Sequence, residues 1–334
     1  MANIFITGAS GFIGSTMVNV ALSLGHKVYA GIRSSSRIDS LPIDKIKIIS
    51  LDLFDPKQLR SEWLKLNKNN EQIDYFIHNA GVTKSADPNM YDKVNCEGTI
   101  NLYKSLFALR TPPKKFVFVS SLAAMGPGSI VSHKPIHISD QECPITAYGK
   151  SKLKAEEFLT NQTAIPFLIV RPTAVYGPKD KDFLEIFNVL KFRIEPYLAD
   201  PKQQLSFIHA HDLASIICRL TTSSHQNRVY HISDGKNYSV TEFMGEAKKI
   251  LDVKTVRIVI PRPILKTIVA FSELNSWLFG TASNLNREKY KELTALNWAC
   301  DTDSLYSDID YIPKYDITNG LEDVLNWYKK ERLL

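Results

Sequence analysis

Apolar residues in this chain fall first into short continuous runs and then into helical stripes, and the two alternate. Residues 3–7 (NIFIT) make a β-branched and aromatic run that stops at Gly8. Beyond it Phe12, Ile13, Met17, Val18, Ala21 and Leu22 recur at helical spacing, up to Gly25. The pattern predicts strand, glycine turn, helix, with Gly25 ending the helix. Further runs predict strands at 27–32, 46–49, 73–78, 116–119 and 166–170, with helices opening at Asp55-Pro56 and spanning 94–109 and 148–159. Runs apolar on both faces and separated by helices predict a parallel sheet covered on both sides. Right-handed crossovers make it doubly wound, with the ligand at the carboxyl ends of its strands. Beyond Gly177 the rhythm becomes irregular: helices at 183–192, 211–220 and 240–251, prolines at 196, 201, 261, 263 and 313, and short strands such as 229–232.

Gly8, Gly11 and Gly14 each suit a task that needs no side chain: a tight turn, backbone contact with a pyrophosphate, and close seating of the helix on the strand. The helix N-terminus then faces the phosphates with free N–H groups. The expected architecture is therefore α/β. A Rossmann-type doubly wound parallel sheet takes residues 1–175, joined again by 203–233, and a smaller, irregular α/β C-terminal substrate domain takes 176–334. A terminal helix at 321–328 packs its apolar stripe on the body.

Composition narrows the function. The 334 residues are 44% hydrophobic and 23% charged, which suits a large folded core. The net charge of +6 is dispersed, so a nucleic-acid partner is not expected. Cys96, Cys143, Cys218 and Cys300 form no CxxC and read as buried free thiols of a reducing compartment. The first strand occupies the place of a secretory leader, and the apolar window 263–279 is broken by Lys266, Ser272, Glu273, Asn275 and Ser276. A cytoplasmic protein without a membrane span is expected.

Candidate chemistry centres on Tyr148 and Lys152. Four residues apart on a helix, they share a face, and an ammonium beside a phenol of ordinary pKa near ~10 favours the phenolate. Such a group can act as general acid for carbonyl reduction or base for alcohol oxidation. Ser120 and Ser121 follow the fifth strand, where a hydroxyl can hold a substrate oxygen; a Ser pair that merely opens a loop is the alternative.

With these residues in view, the chain resembles the extended short-chain dehydrogenase/reductases, the NAD-dependent epimerase/dehydratase family. TGASGFIG at 7–14, HNAG at 78–81, VN and GTINL within 94–102, VSSLAAMG at 119–126, YGKSK at 148–152, RPTAVYGP at 171–178 and FIHAHDLA at 207–214 occur in family order. The resemblance implies Tyr148 as catalytic acid/base, Lys152 tuning it and binding the nicotinamide ribose, Ser121 orienting the substrate oxygen and Asn95 in support. It implies a cofactor site built from Gly8, Ser10, Gly11, Phe12, Ile13, Gly14, Leu53, Asn79, Ala80, Gly81, Ser120, Tyr148 and Lys152. Asp52 would contact adenine, and the backbone of Pro172, Ala174 and Val175 would line the nicotinamide. A homodimer through two long helices is the family habit.

The residues also speak to cofactor and substrate. The second strand ends at Ile32-Arg33, followed by Ser34, Ser35, Ser36 and Arg37, with no carboxylate before Asp39. Arg33 and Arg37 favour the 2′-phosphate of NADP over NAD. Relatives acting on nucleotide sugars place an Asn where this chain has Ala174, an Arg near Leu205, and a later Arg absent from 296–299. The residues Ile264, Leu265, Ile268, Val269, Phe271, Leu274, Trp277 and Leu278 read as a helix of the cap's core or as an apolar lid over a hydrophobic carbonyl substrate. The first reading is an NADP-preferring oxidoreductase for a small-molecule alcohol or carbonyl. The second is a nucleotide-sugar epimerase or dehydratase with retained NAD, and the third a cofactor-sensing scaffold. No metal is expected from His209, His211 and Asp212, and Asp212 reads as a helix cap. Cys143 has no partner that would make it a nucleophile.

Overall fold

A computed structural model describes every residue except 86, 132–133, 199 and 280–285, and leaves the side chains of 274–279 undescribed. The strands are β1 (Asn3–Thr7), β2 (Lys27–Ile32), β3 (Ile46–Ser50), β4 (Tyr75–His78), β5 (Lys115–Val119), β6 (Phe167–Pro172), β7 (Ala174–Tyr176), β8 (Ile194–Tyr197), β9 (Gln204–His209), β10 (Arg228–Ile232), β11 (Asn237–Ser239), β12 (Val256–Val259) and β13 (Asn297–Trp298). The helices are α1 (Phe12–Ser23), α2 (Pro56–Lys68), α3 (Asn89–Tyr91), α4 (Gly98–Ser105), α5 (Ala147–Thr160), α6 (Asp182–Lys191), α7 (Ala210–Thr222), α8 (Val240–Leu251), α9 (Arg262–Phe279), α10 (Arg287–Thr294), α11 (Asp303–Asp308) and α12 (Ile317–Lys330).

Seven strands form an all-parallel sheet in the order β10-β6-β5-β4-β1-β2-β3. The order reverses direction between β1 and β4, which opens a crevice at their carboxyl ends. Strand alternation sorts the core by face. Ile4, Ile6, Val28, Ala30, Val117 and Val119 meet α1 and α7 on one side. Phe5, Tyr29, Phe76, Phe116 and Phe118 meet Trp63 of α2 and the residues of α4 and α5 on the other. There Phe5 stacks on Phe76 at 4.7 Å and Phe76 on Phe116 at 5.6 Å. The aromatic face has no room for a side chain at Gly31, whose Cβ would stand 2.6 Å from Phe5.

The chain leaves this sheet within the RPTAVYGP motif. Pro172 ends β6, and Ala174 already opens β7, which pairs with β9 in a second sheet alongside β11 and β13. Of the segment 203–233, β9 therefore lies in the second sheet, while α7 packs on α1 and β10 forms an edge of the first. A second aromatic core gathers Tyr176, Phe183, Phe207 and Phe243 with Leu321, Val324, Leu325 and Tyr328 of α12. β8 and β12 make a two-stranded sheet by themselves.

Two local expectations change. The stretch 94–109 is not one α-helix: 92–97 forms a wide π turn, and Leu106–Ala108 a tight 3₁₀ turn. At the end of the π turn Thr99 Oγ1 donates to the Asn95 carbonyl at 2.6 Å. Of the four free thiols only Cys218 and Cys300 are buried; Cys143 is exposed and Cys96 partly so. Among the described residues no helix is long and apolar enough to cross a membrane.

Candidate active site

The glycine turn is built as its spacing requires. Gly8 has φ +64°, and a Cβ there would lie 2.9 Å from the backbone of Ala80. Gly14 sits so close to the turn that a Cβ would stand 2.0 Å from the Gly8 carbonyl oxygen. No side chain caps Gly11 at the start of α1, and the first turn carries no acid. Backbone N–H groups, a positive helix end and open space above glycine fit a pyrophosphate. Ser10, Phe12 and Ile13 lie on this turn and the first turn of α1, all partly exposed.

Arg33 follows directly on β2 and is exposed, as is Arg37. A turn holds the segment, with Arg33 N donating to Ser36 Oγ at 3.2 Å and Ser36 N to the Arg33 carbonyl at 3.0 Å. Asp52, exposed just past β3, accepts from Phe54 N at 2.9 Å, and Leu53 beside it is half-buried. These residues thus sit beyond the carboxyl ends of the second and third strands, on the β1 side of the crevice.

The β4 side is tied to β1 through a buried chain of polar groups. Thr7 Oγ1 accepts from Asn79 N at 3.2 Å and from Ala80 N at 3.1 Å, and meets His78 Nδ1 at 2.7 Å. His78 Nε2 meets Thr99 Oγ1 at 3.0 Å. Since the Thr99 hydroxyl proton goes to the Asn95 carbonyl, Nε2 carries the ring proton and Nδ1 accepts from Thr7. Burial pushes the His78 pKa down to about 3, and the Lys152 cation adds to the shift. Asn95 closes the chain. Its Oδ1 accepts from Val82 N at 2.8 Å, and its Nδ2 donates to the Val82 carbonyl and to Ser151 Oγ, both at 3.0 Å. Ser151 Oγ in turn donates to the Tyr148 carbonyl at 2.7 Å. Asn95 therefore holds the loop at Gly81 against the helix that carries Tyr148.

On α5, Thr146 caps the N-terminus by accepting from Gly149 N at 3.0 Å. Tyr148, Lys152 and Glu156 follow at intervals of four and share one stripe. Lys152, 3% exposed, donates to the Val119 carbonyl at 2.8 Å and lies 4.7 Å over the Phe118 ring. Burial pushes its pKa down to about 8, with Glu156 pulling upward. Tyr148 does not follow the expected direction. Burial drives its pKa well above the phenol range, while the hydrogen bond with Ser121 opposes the shift and the Glu292 charge adds to it. The ammonium is engaged at Val119 instead of lowering the phenol, so Ser121 is the group that favours phenolate here.

Ser121 begins a short 3₁₀ turn, its Oγ accepting from Ala123 N at 3.1 Å. Ser120 next to it is buried and donates to Glu156 Oε1. Glu156 is itself gripped by Arg171, through Nε at 3.0 Å and NH2 at 2.6 Å. Arg171 also reaches Glu142 at 3.1 Å. Pro172, buried, ends the strand carrying Arg171, and on β7 Ala174 emerges exposed and Val175 partly exposed.

Several contributors were not visible in the sequence. Glu288 of α10 accepts from Ala147 N, at the first turn of α5 beside Tyr148. Glu292, one turn further along α10, bears on Tyr148 and Tyr91 as a negative charge. Thr7, His78 and Thr99 lie in three of the motifs, TGASGFIG, HNAG and GTINL, but nothing in the sequence says that their side chains meet in one buried chain.

The remaining candidates fall elsewhere. Among the described residues no His, Cys, Asp and Glu cluster could hold a metal. Asp212 is no helix cap: wholly buried, it accepts from Tyr311 Oη at 2.6 Å, Tyr315 N at 2.9 Å and Lys314 N at 3.1 Å. The cap of α7 is His209, whose Nδ1 accepts from His211 N at 3.3 Å.

Comparison with known proteins places this geometry. Residues 4–233 match the model of the NAD dependent epimerase/dehydratase family. The UDP-glucose 4-epimerase of Vibrio cholerae is 28% identical over 78% of this chain and 79% of its own length. The ceramide reductase of Caulobacter vibrioides is 27% identical over 97% of this chain and 93% of its own length. A crystal structure of UDP-glucose 4-epimerase from Thermotoga maritima with UDP-glucose superposes with a TM-score of 0.77, at 20% identity, over 99% of both chains. The glycine cradle, the crevice between β1 and β4 and the Tyr148–Lys152 stripe thus belong to an NAD(P)-dependent oxidoreductase or epimerase of the extended short-chain type: the chain is a member of the NAD dependent epimerase/dehydratase family.

Proposed function

We propose that this enzyme is an NADP(H)-preferring oxidoreductase for a secondary alcohol or carbonyl on an apolar body. The observation that carries the substrate class is the lack of diphosphate partners: Ala174 stands where an Asn is expected, and no Arg stands at Leu205 or within 296–299. The charged groups that approach Tyr148 from α10, Glu288 and Glu292, are paired with Lys291 and Lys289 on their own helix and offer a diphosphate no partner. The similarity to a ceramide reductase along nearly the whole chain agrees with this reading. The exposed Arg33 and Arg37 past β2, with no acid before Asp39, support NADP over NAD.

In this mechanism a bound nicotinamide supplies or accepts the hydride at its C4. Tyr148 Oη gives a proton to the substrate oxygen or takes it back, and Ser121 Oγ hydrogen-bonds the same oxygen. Lys152 supplies positive charge one turn along α5 and would hold the nicotinamide ribose, and Asn95 keeps the Gly81 loop against α5. Gly8, Ser10, Gly11, Phe12, Ile13 and Gly14 would hold the pyrophosphate, Asp52 and Leu53 the adenine, and Asn79, Ala80, Gly81, Ser120, Pro172, Ala174 and Val175 the remainder. Residues 1–175 with α7 and β10 would form the cofactor unit and the rest of 176–334 the substrate unit, in a chain that pairs as a homodimer.

A second reading is favoured by the similarity to UDP-glucose 4-epimerases: net epimerisation of a nucleotide sugar, with NAD retained through each cycle. Titration with NADPH and NADH, followed by nicotinamide fluorescence after assay for carried-over dinucleotide, separates the two. Tight NADPH binding to empty protein, with turnover of hydrophobic ketones, supports the first. Co-purified NAD with poor NADPH binding overturns it in favour of the second, and good binding with no turnover on any carbonyl would leave a cofactor sensor. Tyr148→Phe should keep NADPH binding and lose about 100-fold or more in turnover.

A further inference from the structure

α9 shows apolar residues to water as well as to the core. Leu265 and Val269 face inward, 1% and 3% exposed, while Ile264, Ile268 and Phe271 are 54%, 42% and 68% exposed. The three outward positions share one face of the helix by their spacing. A surface helix ordinarily turns a polar side to solvent; this one carries a second apolar stripe. The strand leading into it is exposed as well, Val256 at 68% and Ile258 at 44%. Phe192, 79% exposed, adjoins Arg193, whose carbonyl accepts from Val256 N at 2.8 Å.

This surface is mainly cationic. Residues 253–272 contain Lys254, Arg257, Arg262 and Lys266 and no Asp or Glu; Asp252 and Glu273 flank them, and Glu273 pairs with Arg287 at 3.1 Å. Arg257 lies 3.8 Å from Glu195 and is partly neutralised. Lys191 and Arg193, both exposed, add cations at the entry to β8. Exposed apolar side chains interleaved with cations mark an interaction face, and the sign decides between partners. A second copy would set the same cations against themselves across a two-fold axis, whereas an anionic bilayer satisfies both components at once.

We propose that β12 and α9 form a membrane-docking face: Ile264, Ile268 and Phe271 enter the headgroup layer of an anionic lipid bilayer, and Arg262, Lys266, Lys254 and Arg193 pair with lipid phosphates and carboxylates. Beyond α9 and residues 280–285 the chain continues into α10, whose Glu288 holds the N–H of Ala147 next to Tyr148. The docking face is thus a short stretch of chain from the catalytic tyrosine, suited to an apolar substrate that resides in the bilayer. Docking does not depend on the redox reading, and its test needs neither cofactor nor substrate.

The test is flotation of the full chain with vesicles of phosphatidylcholine alone and with roughly one-third phosphatidylserine. Binding is expected to the anionic vesicles only, with release at high salt. Lys266→Gln should weaken it about fivefold, and Ile268→Glu combined with Phe271→Glu should abolish it, with the thermal midpoint unchanged because all three sites are exposed. Absence of binding, or binding indifferent to these substitutions, would overturn the proposal. So would a dimer in sedimentation that the double variant converts to monomer, since a second copy would then cover the face.

Discussion

Lys152 aims its ammonium at the carbonyl oxygen of Val119, 2.8 Å away, and not at the phenol of Tyr148 one turn earlier. The group is almost wholly buried among Phe118 of β5, His78 of β4, Asn95 and Gly81, with Glu156 on its own helix the neighbouring anion. Burial brings its pKa down to about 8, so the cation is present below that pH and lost above it. We expect kcat/KM to fall above about pH 8 with the charge. Lys152→Met should cost about 100-fold or more in turnover and abolish the basic limb, and Lys152→Arg should move the limb upward. A Met variant with an unchanged pH profile would show that this charge takes no part.

The pair of Glu156 and Arg171 should dominate local stability. Both are buried, with side chains 3% and 4% exposed. Burial lifts the Glu156 carboxyl above its ordinary range, and the Arg171 guanidinium and Ser120 hydroxyl pull against it. Glu156→Gln leaves the guanidinium with Glu142 alone and should cost about 3–5 kcal/mol. Adding Arg171→Met should recover much of the loss, because no unpaired charge then remains buried. Urea midpoints of the two single variants and the double variant measure this; simple additivity would contradict it.

Acid stability follows from three buried neutral histidines. Burial is the largest cause in each: it pushes His78 to about 3 and His209 and His231 to about 4, against an ordinary value of 6.5. Between those values the unfolded chain takes up protons that the folded chain refuses, so stability falls as pH drops below 6.5. Each proton contributes about 1.4 kcal/mol per pH unit. His78→Gln should flatten the slope by one proton, while lowering stability at neutral pH through the broken Thr7 to Thr99 bridge. Unfolding free energies measured from pH 7 down to 4.5 should therefore slope steeply, and a flat profile would mean that these rings accept protons in the fold.

Cofactor choice should rest on Arg33. An ionic hydrogen-bond partner of a phosphate contributes enough that Arg33→Ala should weaken NADPH binding about tenfold or more. NADH binding should be unchanged. Equal loss for both cofactors would place Arg33 away from the 2′ position.

The order of strands and helices in the first half was determined by the sequence alone. Apolar runs such as 116–119 can only be buried on both faces, and Gly8, Gly11 and Gly14 point to a phosphate turn through their place between a strand and an apolar-faced helix. The placement of the glycine turn, of Ser121 just past β5 and of Tyr148 and Lys152 on one helix was legible for the same reason, since each belongs to a short run whose local geometry is set by its neighbours in the chain. The direction of the phenol's pKa was not legible. It depends on how deeply Tyr148 is buried, on Val119 capturing the ammonium, and on Glu292 arriving from a helix far along the chain. The same holds for Asp212, which reads as a cap in sequence but becomes a buried acceptor for Tyr311, Lys314 and Tyr315, and for the exposed stripe of α9, where only packing decides which apolar residues find a core. Local pattern states which elements form; charge, burial and partner depend on residues distant in sequence, and those the tertiary structure alone brings together.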